Sequence, residues 1–462
     1  MAEFGIHWFR RDLRINGNPA LKHNLDKSQG RVLGLFCFDS KFLSRPDFSH
    51  NRFAFFLETL KTLRAGMREC GGDLLIIDQQ PLAAFEKLRE YFRREGKWAC
   101  GLVTFNRDYE PFAVNRDARV EAGLRKAGIE VHSERDHLIL EPHEIAKEGG
   151  GFYQVFTPFS RRWLEKFHSE EIQDRLKRQA GEGKPHFKLK WTDVSGPAFP
   201  FKDACEKFAM ENAKSVTIPI PKAGYREALK TLEIFRPQLK TYKDQRDFPA
   251  VKGTSRLSLF IKNGAISTAK IASELGLAGA RGAGAGTFLK EIVWREFYYH
   301  VLFHCPRVET EPFIEKYKTL AWPNNEKWFR RWCEGTTGFP IVDAGMCELN
   351  ATGWMHNRVR MIVASFLTKD LLIDWRWGEN YFMKQLLDGD LAANNGGWQW
   401  AASTGCDPQP YFRIFNPELQ QKKFDPKGEY IRRWIPELGT AKYPKPIVDH
   451  ATQRVLALRL YS

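Results

Sequence analysis

The chain has 462 residues and a mass of 53.5 kDa, enough for roughly two to four domains, and its 43% hydrophobic and 27% charged residues exclude a disordered or collagen-like polymer. Lys and Arg number 71 against 56 Asp and Glu, a net charge of +15, which points to a polyanionic partner, nucleic acid first and an anionic membrane surface second. No apolar run approaches the ~18 residues of a membrane span, and Arg10 comes too early for the apolar core of a signal peptide, so a cytoplasmic protein is expected.

In chain order, residues 5–9 read as a buried strand. The chain then runs into Arg10-Arg11-Asp12-Leu13-Arg14 where a G-x-G-x-x-G turn would mark an ordinary NAD-binding domain. Strands at 31–38, 73–77 and 102–105, and a fifth from Val131 with 138–140, alternate with helical patterns at 51–70, 81–95 and 113–127. Such alternation predicts a Rossmann-like parallel sheet with helices on both faces, an α/β domain over residues 1–135. The pattern weakens over 136–205, where Gly149-Gly150-Gly151, Gly183-Lys184-Pro185 and Gly196-Pro197 punctuate an inter-domain connector with one or two short helices. Over 206–462 helical periodicity dominates, at 222–235, 267–275, 287–303, 326–333, 341–352, 354–375, 379–387 and 394–403, which predicts an all-α domain. The glycine-rich patch 279–286 reads as a flexible lead-in to a helix rather than a phosphate loop. The eight cysteines are scattered without a C-x-x-C pair, so no disulfide framework is expected.

Four constellations stand out. Gly253-Thr254-Ser255-Arg256-Leu257-Ser258 crowds hydroxyls, a glycine and an arginine together, as a pyrophosphate cradle or a helix N-cap would. Glu291, Trp294, Arg295 and Tyr298 share one face of a helix; they suit a wall that stacks on a planar group, or else an exposed face with a Glu291–Arg295 pair. Gly353-Trp354-Met355-His356-Asn357-Arg358-Val359-Arg360-Met361 opens a long helix with Asn357 and Met361 one turn apart. No second histidine stands at metal spacing from His356, and no metal site is expected. Between Leu387 and Trp400, Asp388, Asp390, Asn394 and Asn395 stand among small residues. They are compatible with an acid–base pair, a metal site or a plain turn, and the small residues let a large flat molecule approach the backbone. The 14 Trp, 13 Tyr and 35 Phe fit stacking on such a ligand or on bases.

Taken with Trp8-Phe9-Arg10-Arg11-Asp12-Leu13-Arg14 and Arg246-Asp247-Phe248-Pro249, these runs resemble the photolyase/cryptochrome family over nearly the whole chain, most closely the bacterial class I cyclobutane pyrimidine dimer photolyases. The resemblance implies an N-terminal antenna domain and a helical domain that holds reduced FAD. It implies a carbon–carbon lyase that splits pyrimidine dimers in UV-damaged DNA with light. Tyr242, Thr254, Ser255, Arg256, Leu257, Ser258, Arg295, Arg358, Asp388, Asp390 and Asn394 match flavin-binding positions, with Arg358 and Asp388 expected to pair. Trp322, Trp375 and Trp398 match a relay of indoles that passes electrons to the flavin. Arg246, Glu291, Trp294, Asn357, Met361, Trp400 and Arg413 match lesion and DNA contacts, with Glu291, Asn357, Met361 and Asn394 implied in catalysis. Phe38, Asp39, Arg52, Asp108 and Lys262 resemble the pocket for an 8-hydroxy-deazaflavin antenna; FMN, a reduced folate or no antenna are the alternatives. Asn357 stands where animal cryptochromes and (6-4) photolyases usually place histidine, and the chain ends at Ser462 where signalling members often add a long tail. A monomeric repair enzyme is therefore expected, rather than a blue-light photoreceptor or a (6-4) photolyase.

Overall fold

The computed structural model describes residues 2–181, 183, 185–280 and 282–462; Lys184 and Arg281, within two of the glycine-containing stretches above, lie outside the described residues. Five strands, β1 (Ala2–Phe9), β2 (Val32–Phe38), β3 (Leu74–Asp78), β4 (Trp98–Asn106) and β5 (Glu130–Glu134), form one parallel sheet in the order β3-β2-β1-β4-β5. Its helices are α1 (Pro19–Lys27), α2 (His50–Glu69), α3 (Pro81–Glu95) and α4 (Pro111–Lys126). The expected sheet is present, with its fifth strand at 130–134 rather than 138–140. Leu138, Ile139 and Leu140 are buried, but after the strand, and Ile139 and Leu140 join the helical core. The helix α1 is an addition. Asn18 caps it by accepting from the Leu21 N–H at 3.0 Å, and Pro19 stands at its first position.

Among the described residues, most of the segment after Glu134 is docked. The helices α5 (Phe156–Phe167) and α6 (Glu170–Ala180) bury Phe159, Trp163, Phe167, Ile172 and Leu176 in the helical core. Residues beyond them return to the sheet, where Phe187, Leu189, Trp191, Val194 and Phe208 join its two faces. The connector is thus a strap tied to both halves, because each half of it carries its own apolar stripe.

The remainder is helical among the described residues. The expected helix over 354–375 is two helices, Asn357–Ser365 and Trp375–Gln385, joined by a π-turn at Phe366–Asp370. Leu372 takes a left-handed φ of 51°, and the Asp374 side chain caps the second helix by accepting from the Arg376 N–H at 3.0 Å. The latter helix absorbs most of the pattern expected at 379–387.

The run after β1 ties the halves together. Arg14 pairs with Asp136 and donates to Gly264 O at 3.2 Å and Gly17 O at 2.7 Å. Leu13 N–H donates to Asn263 O at 3.1 Å. Gly264 has φ +67°, and a Cβ there would stand 1.9 Å from Arg11 O, so only glycine fits this crossing.

Candidate functional site

Ser258 begins the short helix Ser258–Lys262, and its hydroxyl donates to Asp388 Oδ2 at 2.7 Å. The same carboxylate accepts from Arg360 Nη2 at 2.9 and 3.1 Å, while Arg360 Nε holds Met355 O at 2.8 Å. Asp388 is therefore partnered by Arg360, not by Arg358 as expected. Two residues apart on a helix, the two arginines leave on different sides. Arg358 instead donates to Asp247 Oδ1 at 2.9 Å and lies 4.4 Å from the Phe424 ring.

Beside this pair, Arg246 forms an ion pair with Glu291 and lies 5.5 Å from the Tyr242 ring. Seclusion from water pushes the Glu291 carboxyl up, against the pull of Arg246. Tyr242 is buried edge-on against Phe288 at 5.3 Å. Arg295, expected at the cofactor and one turn from Glu291, turns to the seam between the halves. It donates to His137 O at 2.9 Å and to the His137 ring at 2.6 Å, and stands 5.0 Å from the Tyr299 ring. Burial and the neighbouring Arg295 hold His137 neutral, so that the imidazole accepts. The Glu291–Arg295 pair therefore does not form, since each group has a better-placed partner across the fold.

Trp294 lies face to face with Phe156 of α5, centroids 3.6 Å apart and planes at 3°. The phenyl ring fixes the indole as a flat wall, a contact that no spacing in the sequence announces. Among the loop residues, Thr254 and Ser255 are half-buried, Leu257 is the buried anchor, and Arg256 has φ 54° with its guanidinium 4.0 Å from the Trp354 ring. Asn357 is exposed at the start of its helix, Met361 and Trp400 are half-buried, and Arg413 lies exposed on a loop, with no side-chain bond to the Glu291 cluster among the described residues.

Asp390 caps the helix Leu391–Ala401 through the Ala393 N–H at 3.2 Å. Its other oxygen accepts from Arg11 Nη2 at 2.7 Å and Tyr299 OH at 2.5 Å, with Lys262 Nζ at 3.8 Å. Burial alone would raise this carboxyl, but Lys262, Arg11 and Arg295 hold it well below the usual carboxylate range. The Asp390 side chain thus belongs to the seam. Asn394, on the same helix, donates to Glu379 O at 3.1 Å, and its amide oxygen is unengaged among the described residues.

Of the antenna candidates, Phe38 is turned into the sheet core, 4.7 Å from Phe208 and 5.3 Å from Phe53. Asp39 follows directly on β2. The other three meet at the seam. Arg52 donates to Met383 O and to Leu386 O at 3.3 Å, Asp108 lies 3.5 Å from Arg11 Nη1, and Lys262 stands 3.7 Å from Glu110. Trp398 and Trp375 are buried in one cluster, and the half-buried Trp322 packs against it. Trp398 lies over Gly378, one helical turn after Trp375, where a Cβ would stand 2.1 Å from its Cη2. Trp322 meets the Tyr461 ring edge-on at 5.9 Å.

The residues around Asp388 fit a large flat ligand with polar edges. Nothing lies within 4 Å of where a Cβ would stand at Gly397, one turn beyond Asn394. His356 Nε2 and Arg358 Nε are buried without a partner, and Ser258 is exposed although its hydroxyl is held. The unpartnered nitrogens, the open space at Gly397 and the Asp388–Arg360 pair are separate features that a polar-edged ligand could use.

Residues 5–178 match the DNA photolyase family, and residues 288–442 match the FAD binding domain of DNA photolyase. The deoxyribodipyrimidine photo-lyase of Alkalihalophilus pseudofirmus is 39% identical, over 98% of this chain and 97% of its own. The chain belongs to the DNA photolyase family. Among solved photolyases, the bacterial class III enzyme from Agrobacterium tumefaciens is 33% identical with a TM-score of 0.82, covering 100% of this chain and 97% of its own. The archaeal photolyase from Sulfolobus tokodaii, solved with two FAD molecules, is 30% identical with a TM-score of 0.81 and covers 99% of each chain. The photolyase FAD-binding match includes Glu291, Trp294, Arg360, Asp388 and Asn394, whereas Tyr242 and the Thr254–Ser258 run precede it. Arg360 as the partner of Asp388 and Arg11 as a seam residue were not expected, although both stand in runs that carry the family resemblance; His137, Phe156 and Glu379 had not been singled out.

Proposed function

We propose that this photolyase splits cyclobutane pyrimidine dimers in UV-damaged DNA under light, with FAD held beside Asp388. The Arg246–Glu291 ion pair next to the stacked Trp294–Phe156 wall carries this reading. It pairs polar edges with a flat apolar face, which is what an extruded pyrimidine pair requires. FAD, when bound, supplies the electron that opens the cyclobutane ring.

The chain's own residues do the rest. Asp388, fixed by Arg360 and Ser258, and Asn394, fixed by the Glu379 carbonyl, present oriented edges to the isoalloxazine. Tyr242, Arg358 and the Thr254–Ser258 run hold the remainder of the cofactor. Glu291 with Asn357 hydrogen-bonds the lesion, Trp294, Met361 and Trp400 wall it, and Arg246 and Arg413 meet phosphates. The surplus of basic charge offsets the few kcal/mol that extrusion costs. Trp398, Trp375 and Trp322 form an electron relay outward. The division into an antenna domain (1–135), a connector (136–205) and a catalytic domain (206–462), a monomer, and a cytoplasmic location complete the reading. A second pigment, 8-hydroxy-deazaflavin or else FMN or a folate, fits the seam beside Arg52, Asp108 and Lys262.

Reduced protein is incubated with a thymine-dimer oligonucleotide under blue light, and with a (6-4) photoproduct oligonucleotide in parallel. Light-dependent restoration of thymines from the dimer alone is expected. Restoration only from the (6-4) lesion, or from neither, overturns the proposal.

A further inference from the structure

One group of donors has no part in light-driven repair. His132 and Glu134 alternate on the edge strand β5 and so share a face. Against that face α1 lays His23. The two imidazoles are stacked, centroids 3.7 Å apart and planes at 7°, and His132 Nε2 is 2.8 Å from Glu134 Oε1. His23 Nε2 is buried and has no hydrogen-bond partner. One ligand atom from each of the three residues lies within 4.8 Å of the other two. All three side chains are half-buried, so an ion can reach them from solvent. Among the described residues this is the only such grouping of three or more His, Cys, Asp or Glu.

Two imidazoles and one carboxylate are the donor set of a zinc-class ion with an open fourth position for water. Each side chain has one nitrogen or oxygen to give. As placed the rings are parallel, so binding one ion requires them to turn about their Cβ–Cγ bonds until the lone pairs converge. Spacing could not reveal the site, because His23 and His132 are far apart in sequence and meet only through the packing of α1 on the sheet.

We propose that His23, His132 and Glu134 bind one divalent transition ion that pins α1 to the exposed edge strand β5. The ion stabilises the fold through its affinity for the folded chain.

The test uses the full-length, flavin-loaded protein, stripped with a chelator and desalted, then titrated calorimetrically with Zn2+ alone. One saturable equivalent is expected, with a rise in Tm on saturation. His23→Ala, His132→Ala and Glu134→Gln should each weaken Zn2+ binding at least tenfold and remove the rise in Tm. His168→Ala, an exposed histidine elsewhere, should leave both intact. Near-UV circular dichroism and the flavin absorption report whether each variant is folded, and Glu134→Gln keeps the side-chain volume. Absence of Zn2+ binding to the parent protein, or binding that survives all three substitutions, overturns the proposal.

Discussion

At the scale of single residues, the site is built on buried charges whose partners come from distant parts of the chain. Asp388 rests on Arg360, and its side chain is almost fully enclosed. Arg360→Ala should lower stability by about 3 kcal/mol in urea unfolding, because it strands a buried carboxylate. Arg358→Ala should cost less, since its partner Asp247 is 36% exposed. Glu379 gives a separate test. Burial pushes its carboxyl up to about 8, although the Asn395 amide donates to it at 3.0 Å. The folded chain therefore holds a proton that the unfolded chain releases near the ordinary value of 4.5. The stabilisation is complete below that value and is lost as pH rises through about 8. Glu379→Gln should flatten this decline, on the order of 1–3 kcal/mol between pH 5 and 8, as read from denaturant midpoints across that range.

At the scale of elements, a helix and an indole compete for one small space. In a helix interior alanine is favoured over glycine by about 1 kcal/mol. At Gly378, however, a Cβ would also stand 2.6 Å from Leu367 Cδ2, beside its clash with Trp398. Overpacking of this kind costs about 1–3 kcal/mol, so Gly378→Ala should lower Tm and alter the near-UV circular dichroism of Trp398. Trp398→Phe should stop photoreduction of oxidised flavin while leaving repair by pre-reduced protein nearly intact; normal photoreduction in that variant would remove Trp398 from the relay. The elements themselves were largely legible. The first four strands of the sheet and the helix Pro81–Glu95 follow directly from apolar periodicity, whereas the polar β5 offers only Val131. The Asn18-Pro19 pair and Asp374 are cap signals that would have marked α1 and the break before Trp375 but were not used, and apolar residues continuing across 366–373 masked the π-turn. Arg360 and Phe156 were illegible for another reason. Which of two nearby arginines meets a given carboxylate, or which ring covers an indole, is decided by long-range packing that leaves no local pattern.

At the scale of the whole molecule, the two halves are joined by buried charge as well as by apolar packing. Arg11 reaches Glu110, Asp108, Tyr299 and Asp390, and it stays firmly protonated against the pull of burial because those partners outweigh desolvation. Arg11→Ala should loosen the seam. Limited proteolysis should then cut faster within residues 137–180, and the variant should lose FAD sooner on dilution; unchanged cleavage and retention would deny Arg11 this role. The seam also bears on where ligands go. In an open parallel sheet the natural crevice lies at the carboxyl ends of the strands where the winding reverses, here between β1 and β4. That place is filled by Arg10, Arg11, Asp12, Asn106 and Asp108, around a cavity of about 10 Å3, room for about one water molecule. A fold that elsewhere offers this crevice to a nucleotide has here filled it with charged residues of the sheet's own loops, with Arg11 tied on to Tyr299 and Asp390 of the other half. A ligand carried by the sheet half would therefore have to sit beside the filled crevice, and a fragment cut free at the strap would expose Arg11 without its Tyr299 and Asp390 partners.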